Sequence, residues 1–395
     1  KRPLKLDMDY QPYVTILIPA HNEALVIEKT VENILNIDYE KFNVIVIDDR
    51  STDNTAEVLK NLENKYSDKV KCIIRDKDAF PGKSAVLNEA TAQSDCAVEV
   101  VCIFDADTKV KPDFLRAMLP FLSPEDVGAV QARKIIINKD TNFLTRCQNN
   151  EYTLDNHFQL GRDSIRGAVE LRGNGQLIKK EALLEVGGWN NYTITDDLDL
   201  STKLHLNGWD VRYSPASEVY EEGILDFLPL LRQRRRWVEG SIRRYLDYFF
   251  EMLTSDTISF RAGFDMIAYI LEFVLPVLMF MNWAIETCKF VKGYANHFIS
   301  TTAVASGVGL FFVIGLVYSL RKYDKLSLHK AFKQAIETGM YMIAIWTPIV
   351  TFIVFKILFT KRSMDWGKTS HGAPFSPCKN LQPSEAVEYQ EEVVV

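Results

Sequence analysis

The chain has 395 residues, a net charge of −6, 47% hydrophobic and 25% charged residues, a mix that excludes a disordered chain, a collagen repeat and a disulfide-dense miniature fold. The length suits two domains, or one domain with a membrane part, and the acidic balance argues against a whole-chain grip on nucleic acid. Mean hydropathy of −0.07 describes a soluble protein only if the apolar residues are evenly spread.

The chain opens Lys1-Arg2-Pro3 without an apolar h-region, so no signal peptide is expected. It has no initial Met, which leaves room for native residues and further spans upstream. Val14 to Pro19 is a short β-branched run, and Glu23 to Leu35 has helical spacing, with Val26, Ile27, Val31, Ile34 and Leu35 on one face. Asn43 to Asp48 is apolar on both faces, as buried parallel strands are. Ser51 to Tyr66 reads as a helix capped by Ser51 or Thr52. A strand at Lys71–Ile74, a helix at Gly82–Ala92 and a strand at Val98–Phe104 follow. This rhythm predicts a parallel α/β sheet with helices on both sides and ligands at the carboxyl ends of its strands.

Beyond Phe260 the composition changes. Segments 266–285, 299–320 and 339–359 carry at most one charge each and are long enough to be read as transmembrane helices. Residues 321–338 are richer in Lys and Arg than 286–298, which puts that loop, and the N-terminal body, in the cytoplasm. Three spans would leave the tail after Lys361 outside. The expected domains are a catalytic body at 1–231, a basic-aromatic interfacial helix at 232–260, a membrane region at 261–362 and an acidic, disordered tail at 363–395. The six cysteines show no C-x-x-C spacing, so neither a zinc nor a redox site is expected.

Several polar motifs punctuate this frame. Asp48-Asp49 closes one strand and Asp105-Ala-Asp107 another. Two acidic clusters at one sheet edge are costly unless a cation or donor groups lie between them. Alternate carboxylates suit a hard ion, Mg²⁺ or Mn²⁺, which would neutralise a diphosphate. Phe80-Pro-Gly-Lys-Ser84 lacks the first glycine of a P-loop, yet Lys83 at a helix start remains a candidate phosphate partner. Thr195-Asp-Asp-Leu-Asp199 places three acids before a helical stretch; N-capping explains one of them, and a general base explains another. Gly173 and Gly175 punctuate Leu171–Gln176, where backbone can approach a ligand closely.

Taken in order, Pro19-Ala-His-Asn-Glu23, Asp48-Asp-Arg-Ser-Thr-Asp53, Gly82-Lys83, Asp105-Ala-Asp107, Thr195-Asp-Asp197 and Gln233-Arg-Arg-Arg-Trp237 resemble the membrane-embedded family 2 glycosyltransferases. These include the cellulose, hyaluronan, chitin and poly-N-acetylglucosamine synthases. The resemblance covers roughly residues 12–250 and the membrane placement after them. It implies a GT-A (Rossmann-like) fold, a UDP-sugar donor and inversion at the anomeric carbon. Carried across, Pro19, His21, Glu23 and Asp49 would line the uridine site, with Lys83 and Asp105 close to the nucleotide, Arg236 facing the diphosphate and Asp107 on its metal. Asp197 would be the general base. Asp196, Gln233, Trp237, Gly173 and Asn174 would bind the acceptor. Asp196 departs from the Glu often found in that position. The expected enzyme is a cell-membrane hexosyltransferase using UDP-glucose or UDP-N-acetylglucosamine. The Gln-x-x-Arg-Trp motif tilts the expectation towards processive polysaccharide synthesis, with transfer to a lipid such as diacylglycerol as the alternative and a dead scaffold as a remote one. Three spans, none ahead of the body, are few for a polymer channel. No motif speaks to the oligomeric state.

Overall fold

A computed structural model describes residues 6–292 and 298–360; the expected disordered tail lies outside them. In chain order the body comprises β1 (Val14–Ala20), α1 (Ile27–Leu35), β2 (Phe42–Asp48), α2 (Thr55–Lys65), β3 (Val70–Ile74), α3 (Lys83–Ala92), β4 (Val100–Ile103), β5 (Lys109–Val110), α4 (Phe114–Met118), β6 (Val127–Ile136), α5 (Phe143–Ile165), β7 (Gln176–Lys179), α6 (Lys180–Glu185), α7 (Asp196–Leu206) and β8 (Asp210–Glu221). Four long or apolar helices follow: α8 (Phe227–Thr254), α9 (Phe260–Val291), α10 (Phe298–Tyr323) and α11 (Leu328–Phe359).

One sheet runs β3-β2-β1-β4-β7-β6-β8-β5. The strands β3, β2, β1 and β4 are parallel, as their two-sided apolar sequences predict. Val14, Ile16 and Ile18 enter the core on one face, while Leu17 faces the other; Val44 and Val46 against Ile45 and Ile47 repeat the alternation in β2. The expectation of an all-parallel sheet fails in the second half. There β7 runs antiparallel to β4 and β6, and β5 antiparallel to β8. The antiparallel β7 follows directly on the 171–176 turn and so brings that turn to the carboxyl end of β4.

Helix α2 starts later than Ser51 or Thr52. The Ser51 hydroxyl instead binds the Asp48 carboxylate and accepts the N–H of Asn22. Thus the loops after β1 and β2 are tied together, with Asn22 and Arg50 both in the left-handed region.

The helix α8 departs from the expected basic face on a lipid surface. Arg234 and Arg244 are buried, and the exposed surface is mixed: the charged Arg232, Asp247 and Glu251 stand beside the apolar Leu246, Phe250 and Leu253. Among the described residues two helices, α9 and α11, are long and apolar enough to cross a membrane, with mean hydropathy of 1.9 and 2.2 over their most apolar windows. The third expected span, 299–320, falls within α10.

Candidate active site

The carboxyl ends of β2, β1 and β4 lie side by side, so the motifs after them converge. They open into a cavity of ≈ 1030 Å³, whose walls include Pro19, His21, Glu23, Lys83, Asp105 and Asp107. Gly173, Asp196, Asp197, Gln233, Arg236 and Trp237 complete the polar part.

Asp49 is an exception among the expected uridine contacts. Its fully buried carboxylate is paired with Arg75 at 2.7 Å and Arg50 at 2.9 Å, and accepts the N–H of Gly82 at 3.2 Å. It stands behind the cavity wall and anchors the loop that presents Lys83. The imidazole of His21 in turn sits 2.7 Å from the Asp49 carbonyl. Gly82, at φ +111°, makes the turn into α3 that a side chain would strain.

Lys83, the first residue of α3, lies 2.6 Å from Asp105. Burial works against the ammonium, but Asp105, Asp196 and Asp197 outweigh it and push its pKa up, so it remains charged. Asn174 is also fully buried rather than open to a ligand. Its side-chain oxygen accepts the Thr108 hydroxyl at 2.9 Å and the Asp105 N–H at 3.3 Å, and its NH₂ donates to Glu221 at 3.2 Å. It therefore fixes the Asp105–Thr108 turn from behind. Asp107 accepts the N–H of Glu222 at 3.3 Å, which aims the carboxylate along the cavity wall.

Asp196 and Asp197 occupy the first turn of α7, where the helix dipole favours negative charge. Neither Asp caps the helix; Thr195 stands at that position and makes no side-chain cap bond. Burial and the neighbouring Asp196 push the Asp197 carboxyl up to about 6, against the pull of Lys83 and the Leu198 N–H. Burial raises Asp196 as well. Gly173, at φ +79°, packs its backbone onto this pair: a Cβ there would stand 3.1 Å from Asp197 Oδ2.

Spacing explains the Gln-x-x-Arg-Trp motif. Residues three and four apart share a helix face, and Gln233, Arg236 and Trp237 all reach the cavity. Burial lowers the Arg236 pKa, while Asp196, Asp197 and Asp105 oppose that shift. Arg234 points elsewhere. It pairs with Glu151 at 3.0 Å and lies 4.1 Å from the centre of the Trp237 ring, holding that indole in place.

Some site residues carry no sequence motif. Tyr152 and Asp155 of α5, with Lys134, Arg172 and Glu221, also line the cavity. Tyr152 donates to Glu221 at 2.6 Å, Lys134 pairs with Glu221 at 2.9 Å, and Arg172 pairs with Asp155 at 2.6 Å. Behind them Glu170 is shared by Arg244, Arg172 and Arg162 at 2.8, 3.0 and 3.2 Å. Burial would raise its carboxyl, yet the three arginines hold it well below the usual range. In the sequence 143–165 shows only as a run rich in Asn and Gln; the structure makes it α5 and buries Gln148, Asn149, Asn150, Asn156 and Gln159.

The cavity does not end at the polar groups. It continues between α9, α10 and α11, past Glu272 and Phe273 to Met279, Phe312, Met340 and Ile343. Polar and apolar parts are continuous.

Residues 12–240 match the family described as "Glycosyltransferase like family 2". A β-monoglucosyldiacylglycerol synthase of Nostoc sp. is 36% identical over 366 residues, covering 91% of this chain and 76% of that protein. The enzyme of the same name from Synechocystis sp. is 34% identical over 383 residues, covering 94% and 78%. A poly-β-1,6-N-acetyl-D-glucosamine synthase of Staphylococcus aureus is 32% identical over 285 residues, covering 71% and 67%. Among solved structures, a mannosyltransferase of Pyrobaculum calidifontis in complex with GDP-Man and Mn²⁺ shares the fold, with a TM-score of 0.63 at 19% identity, covering 87% of this chain and 90% of that one.

Proposed function

The chain belongs to the family 2 glycosyltransferases, and from that premise we propose that it transfers glucose from UDP-glucose to the free hydroxyl of diacylglycerol, forming one β-linkage per turnover. The observation that carries this reading is the cavity that joins the Asp197 carboxylate to an apolar arm between α9, α10 and α11. A hydroxyl on two acyl chains needs both halves. The names of the Nostoc and Synechocystis relatives, similar over more than nine-tenths of this chain, support the same acceptor. This replaces processive synthesis as the leading reading. The polysaccharide alternative keeps two supports, the 32% identity to the Staphylococcus aureus synthase and the Trp237 indole on the cavity wall, whose face suits a sugar.

In the proposed reaction Asp197 takes the proton of the acceptor hydroxyl. The oxygen attacks the anomeric carbon from the face opposite the diphosphate, and the bond from that carbon to the diphosphate breaks. The leaving UDP carries away the electron pair, and Arg236 and Lys83 stabilise the charge that develops on it. Pro19, His21 and Glu23 form the uridine side, with Asp49 as a positioning residue behind Gly82. Asp196, Gln233 and Trp237 orient the acceptor, Gly173 leaves it room, and Asn174 supports Asp105 from behind. A divalent ion, Mg²⁺ or Mn²⁺, would neutralise the diphosphate charge when bound. Asp107, oriented by the backbone N–H of Glu222, offers a hard oxygen ligand, and a site of one or two carboxylates completed by substrate phosphates is the usual form for Mg²⁺. Among the described residues no three His, Cys, Asp or Glu side chains form a metal cluster by themselves. The enzyme sits in the cell membrane with its catalytic body on the cytoplasmic side.

The test is purified full-length protein in lipid micelles, given UDP-glucose or UDP-N-acetylglucosamine with Mg²⁺ or Mn²⁺, with and without diacylglycerol. A short glycolipid that requires diacylglycerol is expected. Long glycan chains made without it would overturn the lipid acceptor. No UDP release from any donor would overturn the reaction itself.

A further inference from the structure

A helix that crosses a bilayer must leave its two ends on opposite sides. In α11 both ends stay on the catalytic body. Just ahead of it, in the turn after α10, Asp324 pairs with Arg133 of β6 at 3.4 Å and accepts the Thr153 hydroxyl of α5 at 3.1 Å. Further along, Glu337 meets Arg146 at 3.5 Å, Thr338 meets Asn150 at 2.9 Å, and Tyr341 meets Glu151 at 3.0 Å. At the far end Lys356 pairs with Glu239 of α8 at 2.7 Å, and the carbonyl of Thr360 accepts from Arg243 at 3.4 Å. That part of α8 is itself fixed to the body, through Arg244 to Glu170 at 2.8 Å and Tyr248 to Asp199 at 3.1 Å. The 32 residues of α11 make about 48 Å of helix. Polar contacts near its middle, near its far end and at the residues flanking it tie the helix to one globular surface.

The helix nonetheless has an apolar outer face. Ala331, Ala335, Thr338, Tyr341, Ile345 and Ile349 turn inward and are buried. Phe332, Met340 and Ile343 are exposed on the opposite face, and beyond Pro348 the exposed stripe turns round the helix to Phe352, Phe355 and Phe359. An exposed apolar face of this length is expected to be covered. The end of α10, the turn after it and the first turns of α11 together carry Arg321, Lys322, Lys325, Lys330 and Lys333. Charges of that sign beside an apolar face suit an anionic lipid surface.

We infer that α11 lies in the plane of the membrane as a docking face for the cytoplasmic leaflet, and that it does not cross. Any crossing is then made by α9 and α10 as a hairpin, and the chain after Thr360 leaves on the side of the catalytic body. This changes the parity expected from counting three spans. It also gives the cavity its setting. Met340 and Ile343 both line the cavity and face outward, so the apolar arm opens to the leaflet beside α11.

The test needs no turnover, so it stands whatever the acceptor proves to be. In a background carrying one cysteine at a time, the exposed Cys96 of the body and an introduced Thr360→Cys are probed in sealed vesicles with a membrane-impermeant maleimide. Both are expected to react from the same side. Reaction from opposite sides would overturn the inference. A peptide tag placed after Val395 gives an independent readout on the otherwise unaltered chain. Protease added on the side of the body is expected to remove it; removal only from the opposite side would likewise overturn the inference. Recovery of the full chain as a soluble protein without detergent would overturn the leaflet as partner.

Discussion

Thr195 occupies the space that any side chain at Gly240 would need. A Cβ on Gly240 would overlap the Thr195 methyl and approach its hydroxyl oxygen within 2.7 Å. The contact presses α8, which carries Arg236 and Trp237, against the turn that carries Asp196 and Asp197. We expect Gly240→Ala to push the two apart. Overpacking of this kind costs roughly 1–3 kcal/mol, and the rate should fall by about tenfold or more, since small misplacements are costly in catalysis. Thr195→Ala in the same chain should recover part of the stability in a double-mutant cycle by thermal unfolding. Full additivity would refute the contact.

Gly173→Ala adds one methyl group where the backbone is left-handed and Asp197 Oδ2 lies 3.1 Å away. We expect the turnover number to fall more than UDP-glucose binding weakens, because the added group meets the base and not the uridine side. Steady-state kinetics beside donor titration separates the two.

Asp197→Asn should abolish transfer, by roughly 10²–10⁴-fold for loss of a general base, while UDP-glucose still binds. The same change should stabilise the ligand-free protein. Burial and Asp196 hold the folded carboxyl up at about 6, above its unfolded value. The folded state therefore favours the protonated acid, and stability is lost as pH rises from about 4 to 6. Above that window the Asn variant should gain on the order of 1 kcal/mol, or roughly 2–4 °C in Tm. Melting curves at pH 4 and pH 8 check the sign: the gain belongs at pH 8.

The pH dependence of kcat/KM should rise through about 6, since only the ionised Asp197 can accept the proton. A limb in that position that survives Asp197→Glu with a shift, and vanishes in the residual activity of Asp197→Asn, would identify the group. A flat profile from pH 5 to 8 would rule the assignment out.

Chelation should stop turnover, and added Mg²⁺ or Mn²⁺ should restore it. For Asp107→Asn the metal concentration giving half-maximal rate should rise by about tenfold or more, the scale of losing one charged ligand. Equal metal dependence in both proteins would move the metal elsewhere.

Much of the body was legible because its motifs sit after strands that are apolar on both faces, as in β1, β2 and β4. Strand polarity beyond β4 was not. The short β7 and the two residues of β5 leave too few positions for a period to show. Asp49 and Asn174 illustrate a further limit. Their types and places matched the site, but burial turns both into supports behind the wall, and burial is a tertiary property. In Gln233–Trp237 the three-and-four spacing accounts for Gln233, Arg236 and Trp237 sharing the cavity face, whereas the pairing of Arg234 with Glu151 of α5 is tertiary and has no sequence signal. The apolar composition of α11 was legible too. Its direction was not, because few polar residues, among them Glu337 and Lys356, decide which surface the helix follows.

The size of the cavity bears on the order of events. Pockets for one small ligand run to about 300–1,000 Å³, and this one, at ≈ 1030 Å³, holds the base, the cationic groups and the apolar arm in a single chamber. Donor and acceptor can then be present together, with the hydroxyl already beside Asp197 when the bond to UDP breaks. Initial-rate plots at several acceptor concentrations should intersect and not run parallel, the signature of a ternary complex and of sugar passing directly from one substrate to the other.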